Sequence, residues 1–181
     1  NKQPTSSMND EEKAKLKNYN SCVLANQRLL LQHFSMLADI IKDCLPPKDA
    51  SIIIYNFISS IRKDNQTIDK SKMQLLLSLS IKGIWNIESG GQLQTLLSKE
   101  INKAFKDKNC SGFINEIITA ILYTSSSDFI DGFMTALEKI DDENLGSLLL
   151  SIAYVYPNVL SLPLLLKICK SEYLFTPDRK S

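Results

Sequence analysis

An all-α fold, a compact bundle of about eight helices joined as antiparallel neighbours, is what this chain of 181 residues predicts. Three observations point to it. Apolar residues recur at three- and four-residue steps, the period of a helix face. The segments are separated by Gly, Pro, Asn or Ser clusters of about two to six residues, the usual length of a connection between packed helices. The composition is globular, 44% hydrophobic and 23% charged, in a chain long enough for one real core and too short for two comfortable ones. A short helical-repeat solenoid is the alternative. The glycine pair and the serine triplet do not recur at matching offsets, so no fixed period supports it. Residues 1–8 read as a disordered tail, 9–175 as a single helical domain and 176–181 as a frayed tail.

The first helix is expected from about Asp10 to Cys44. Asn9 can cap it, Glu12 stands three residues on as in a capping box, and the acids of the first turn complement the helix dipole. Leu16, Tyr19, Val23, Leu30, Phe34, Leu37, Ile41 and Cys44 form its stripe, widened by Leu29, Leu31 and Ile40. Pro46-Pro47 ends it. Asp49 is the expected cap of a second helix, about Ala50 to Lys63. Its run Ile52-Ile53-Ile54-Tyr55 suits a strand by propensity, but the helical pattern continues for a further turn and more. A third helix is expected from about Asp69 to Ile87, stopped by Ser89-Gly90-Gly91, and a fourth from about Gln92 to Lys106. The fifth spans about Gly112 to Tyr123, and the sixth, capped by Ser127 or Asp128, reaches Ile140.

The stretch from Asn144 to Ile168 should organise the rest. Leu, Ile, Val and Tyr fill most of it, which predicts two helices broken near Pro157 and buried on more than one side. Acidic Asp141-Asp142-Glu143 starts the seventh helix, and the eighth covers about Val159 to Tyr173, with Pro163 near its first turn or at a kink.

Charge and cysteine usage limit the function classes. Lys plus Arg is 21 against 20 for Asp plus Glu, without the basic excess of a duplex-DNA binder, so no DNA partner is expected. Cys22, Cys44, Cys110 and Cys169 are scattered, with no CxxC and a single histidine, His33, far from them. Zinc needs clustered ligands, so neither metal nor cofactor is expected, and the thiols are read as reduced and mostly buried. The first dozen residues are polar and unlike a signal peptide, and no apolar run is long enough to span a membrane. The chain begins with Asn1, as a fragment or a processed product would. Arginine occurs only at Arg28, Arg62 and Arg179, and Ile greatly outnumbers Val, a bias of AT-rich genomes such as those of many microbial pathogens.

No motif names a reaction. Ser89-Gly90-Gly91 lacks the lysine and spacing of a P-loop, and no EF-hand loop or DDxxD element accompanies the acidic groups at Asp128, Asp131 and Asp141 to Glu143. A non-enzymatic helical protein–protein interaction domain is therefore the leading expectation, in the setting of a microbial effector or virulence protein acting on host proteins. Its candidate contacts are Leu29, Trp85, Leu160 and Leu164, because tryptophan anchors interfaces and the last two helices carry more leucine than one buried face needs. The expected compartment is a cytoplasmic-type reducing one, including that of a host cell. One alternative is an enzyme with a site assembled from distant residues: His33, Asp39, Asp43, Glu116 and Asp128. The other is a module for anionic membrane surfaces using Lys99, Lys103 and Lys106, which line one side of the fourth helix.

Overall fold

The computed structural model describes residues 9–61, 66–87, 91–105, 107, 110, 112–139 and 145–170. Among them are eight α-helices and no strand: α1 (Asp10–Cys44), α2 (Pro47–Ser60), α3 (Gln66–Ile81), α4 (Gln92–Phe105), α5 (Gly112–Thr124), α6 (Ser127–Glu138), α7 (Leu145–Val155) and α8 (Leu162–Lys170). Two 3₁₀ turns, Ile84–Ile87 and Pro157–Val159, complete the order. The expected tails, Ser89-Gly90 and Asp141-Asp142-Glu143 lie outside the described residues.

The capping box at α1 forms as its residues predict. The Asn9 side chain accepts from the Glu12 amide at 2.8 Å, and the Glu12 carboxylate accepts from the Asn9 amide at 3.0 Å. Thirty-five residues carry α1 about 52 Å. Leu45 is extended before the proline pair, which stops it. Pro47 then opens α2 three residues earlier than expected, since proline at the first helical position loses no needed hydrogen bond. Asp49 consequently sits in the first turn and caps nothing. Ile52 to Tyr55 are helical, because Ala50, Ile54 and Ile58 put one helix face into the core.

The third helix ends six residues short of the expected Ile87. Gly83 has φ +63°, a left-handed conformation that side-chain-bearing residues rarely adopt, and a Cβ there would face the Thr124 carbonyl oxygen at 3.3 Å. The reversal lets the 3₁₀ turn aim Ile84, Trp85 and Ile87 inward, all of them buried. Asn86 secures this turn to the α5–α6 junction: its amide donates to the Thr124 carbonyl at 2.8 Å and its oxygen accepts from the Ser126 amide at 2.6 Å. Ser126 itself caps α6, accepting from the Phe129 amide at 3.3 Å, so neither Ser127 nor Asp128 is the cap. Gly132 brings α6 close to α4; a Cβ there would lie 2.6 Å from the Gln94 side-chain nitrogen.

One contiguous apolar cluster takes residues from all eight helices. Its hub is α3, packed against α1 on one side and α5 on the other, while α4 packs against α6 and α2. This pattern, in which helices skip their sequence neighbours, is a compact bundle rather than a stack of repeats. The stretch expected to be central is not. Helices α7 and α8 pack chiefly on each other, with lesser contacts to α5 and α6. Leu164 and Ile168 of α8 are buried, whereas Leu162, Leu165 and Leu166 are exposed, so that helix is covered on one side only. No described helix is long and apolar enough to cross a membrane.

The buried side of α1 also differs from expectation. Leu31, Phe34 and Ala38 are buried, flanked by half-buried Leu24 and Ile41. Tyr19, Leu30, Leu37 and Cys44, assigned to the inward stripe, are exposed. Phe34 stacks on Phe57 of α2 with ring centroids 3.5 Å apart, which fixes the rotation of α1 about its axis.

Candidate functional site

The rotation of α1 decides what the surface carries. Successive helical residues turn by about 100°, so Leu29, His33, Met36 and Ile40 form one exposed row, with Leu30 and Leu37 beside it. Met36 is 62% exposed and Ile40 58%, values far above those of core neighbours two residues away. Only Arg28 and Asp39 are charged between Lys17 and Lys42, and both lie off this row. Asp39 pairs with the ammonium of Lys82, in the turn just past α3, and that ammonium also donates to the Ser35 carbonyl at 3.1 Å. The result is an uncharged apolar face on the helix side opposite the core.

Of the four expected contact residues, Leu29 belongs to this face, at 53% exposed. Leu160 is half-buried against the core, in the link between the second 3₁₀ turn and α8. Trp85 and Leu164 are fully buried and offer nothing to a partner. Trp85 is held by core chemistry: its indole N–H donates to the Ser80 hydroxyl at 2.8 Å, and its ring lies 6.3 Å from that of Phe129. Leu30, Met36, Leu37 and Ile40 were not among the expected contacts. Their signal is present in the 29-33-36-40 and 30-37 spacings, but a helix apolar on most sides satisfies more than one inward stripe.

The expected lysine row is not an open cationic strip. Lys99 is exposed, Lys103 donates to the Glu100 carboxylate at 2.8 Å, and Lys106 lies outside the described residues. Nor does the fold bring together the five residues of the enzyme alternative. His33, Asp43, Glu116 and Asp128 are exposed, Asp39 is engaged by Lys82, and no hydrogen bond or ion pair joins any two of the five. Among the described residues, no group of three or more His, Cys, Asp or Glu is placed to hold a metal ion.

A cavity of about 180 Å³ lies between α3 and α4, lined by Asp69, Lys72, Met73, Glu100, Lys103, Ala104, Asp107 and Cys110. The Lys72 ammonium meets Glu100 at 2.9 Å, with the two side chains only 5% and 8% exposed. Burial raises the Glu100 carboxyl, but the hydrogen bond from Lys103 and the charge and hydrogen bond of Lys72 outweigh it, and the net shift is downward. Cys110 moves the other way. Burial, the hydrogen bond to Asp107 at 3.3 Å and the charge of Asp107 push its thiol up to about 12, the reverse of a nucleophilic cysteine. A second recess, of about 30 Å³ beside Ile118, Leu148 and Tyr156, has room for about one water.

No family model, no curated protein and no solved structure matches this chain. The geometry therefore carries the functional reading alone.

The cysteines supply a direct check on these environments. Cys22, Cys44 and Cys169 are exposed, contrary to the expectation of mostly buried thiols, and Cys110 is buried; all four are free. A maleimide at neutral pH is expected to label three sites on the native chain and a fourth only in denaturant, resolved by peptide mass mapping. Fast native labelling of Cys110 would contradict the environment described.

Proposed function

We propose that this chain is a non-enzymatic protein–protein interaction domain that docks through the outer face of α1, from Leu29 to Ile40. The single observation behind the reading is the half-exposed set Leu29, Leu30, Met36, Leu37 and Ile40 on one uncharged side of a core-anchored helix. Those side chains leave on the order of 500 Å² of apolar surface open, at the upper end of what a typical monomer shows in one patch. A partner would supply apolar anchors at helical spacing, with polar groups confined to the rim. Three exposed free thiols fit a reducing compartment, where they would stay unpaired. The membrane-surface alternative has less in its favour, since Lys103 is tied to Glu100.

The test places a photo-crosslinking residue at Met36 in the cells that make the protein. A discrete crosslinked protein species, lost on Leu29→Glu and kept on Leu166→Glu in α8, is the expected result. Both substitutions fall at exposed positions and should move stability by no more than about 0.5 kcal/mol, so a loss of crosslinking reads as lost contact. No crosslinked species from position 36, with the chain an inert monomer, would end this reading.

A further inference from the structure

The partner for which the α1 face is best suited is a second copy of the same face. We propose that the chain forms a homodimer in which two α1 helices pack side by side through Leu29, Leu30, His33, Met36, Leu37 and Ile40. This rests on the interaction reading above and names its partner.

Charge is the first reason. A two-fold interface sets each patch against itself, so any charge at its centre meets the same charge or a buried apolar group, at a cost of several kcal/mol. From Tyr19 to Ile40 the α1 face avoids this: Tyr19, Cys22, Asn26, Leu29, Leu30, His33, Met36, Leu37 and Ile40 include no Lys, Arg, Asp or Glu, and the row meets charge only beyond its ends, at Lys15 and Asp43. Surfaces that select a different protein normally carry complementary charges around their anchors. Between Lys17 and Lys42 the only charged residues, Arg28 and Asp39, lie toward one flank, and Asp39 is occupied by Lys82.

Area is the second. A stable interface needs about 800 Å² from each partner. The five apolar side chains offer on the order of 500 Å², and the exposed polar residues beside them, Asn26, Gln32 and His33, bring the face near that requirement. Spacing is the third. The steps 22-26-29-33-36-40 alternate four and three, the seam along which two helices interdigitate at a shallow crossing angle. The flank residues Leu30 and Leu37, seven apart, widen that seam as a paired helix requires. The apolar face of α8, with Leu162, Leu165 and Leu166, is shorter, on a nine-residue helix, and lacks the alternating seam.

Sedimentation velocity of the reduced full chain at about 10 to 100 µM tests this, a range that detects dimers with micromolar dissociation constants. Twice the 20.4 kDa chain mass is expected. Leu29→Glu with Met36→Glu should return the chain to monomer with an unchanged circular dichroism spectrum, while Leu166→Glu should leave the dimer intact. Should the double variant lose its helical spectrum, Met36→Lys alone gives the same readout, expected as at least a tenfold weaker dimer. A wild-type monomer across the range, or a dimer that the α1 substitutions leave untouched, would overturn the proposal. The two readings fail separately. A monomer whose Met36 crosslinks to a different protein removes the second copy and keeps the interaction domain; a monomer that crosslinks to nothing removes both.

Discussion

Glu100→Gln is expected to destabilise the fold by about 3 kcal/mol at neutral pH, measured by denaturant unfolding. Breaking a buried ion pair by removing one partner costs more than the pair contributes, because the remaining charge stays buried without compensation. Lys72, 5% exposed at its side chain, is that remaining charge. The low end of the usual range applies because Asp69 and Asp107 line the same cavity and soften the field around the ammonium. The converse change, Lys72→Met, should cost less. It leaves Glu100 with the Lys103 hydrogen bond at 2.8 Å and puts a compatible apolar chain where the lysine stem ran. Replacing both, with Lys72→Met and Glu100→Leu, should recover most of the loss.

Acid separates this account from a mere packing defect. The folded-state carboxyl of Glu100 is lowered from its ordinary 4.5. A lowered carboxylate contributes stability that is present above its unfolded value and lost as pH falls through the folded one. Wild-type stability should therefore decline from about 4.5 downward with a component that Glu100→Gln lacks. The gap between the two proteins should narrow in acid. A gap that stays constant with pH would mean the variant acts through shape alone.

Such a pair could not be found in the sequence. Lys72 and Glu100 lie in different helices and stand among residues that, read along the chain, belong to ordinary polar faces. Only the packing of α3 near the start of the α3–α4 cavity brings them together. Local chemistry was legible where it was self-contained: the Asn9–Glu12 capping box and the proline stop after α1 need no partner beyond a few residues. Phase was less legible. Apolar residues on most sides of α1 and α8 announce helices but not which side faces in, and that choice fell to Phe34 stacking on Phe57 and to Leu164 entering the core. The exposed apolar face of α1 went unread for this reason. Its leucines fitted an inward stripe equally well until Leu31, Phe34 and Ala38 claimed the core.

Trp85→Ala should cost about 3 to 5 kcal/mol, the range for deleting a buried aromatic side chain. The indole is fully buried on the short turn that follows Gly83, against Phe129 in the first turn of α6. It thus joins α3 to α6, through Ser80 on one side and Phe129 on the other. Trp85→Phe should cost less. It keeps an aromatic ring there and removes only the N–H donor to Ser80, whose own hydroxyl still donates to the Leu76 carbonyl at 2.7 Å. Because this is the single tryptophan of the chain, its fluorescence reports one place. Emission from the native protein should be that of an indole shielded from water, shifting to the red on unfolding. That same signal divides two accounts of binding. A partner or second copy seated on Leu29, Met36 and Ile40 touches the side of α1 away from the core and should leave the tryptophan emission unchanged. A large change in emission on complex formation, with the fold intact, would mean that contact reaches the Trp85 turn and that the α1 face is not where docking occurs.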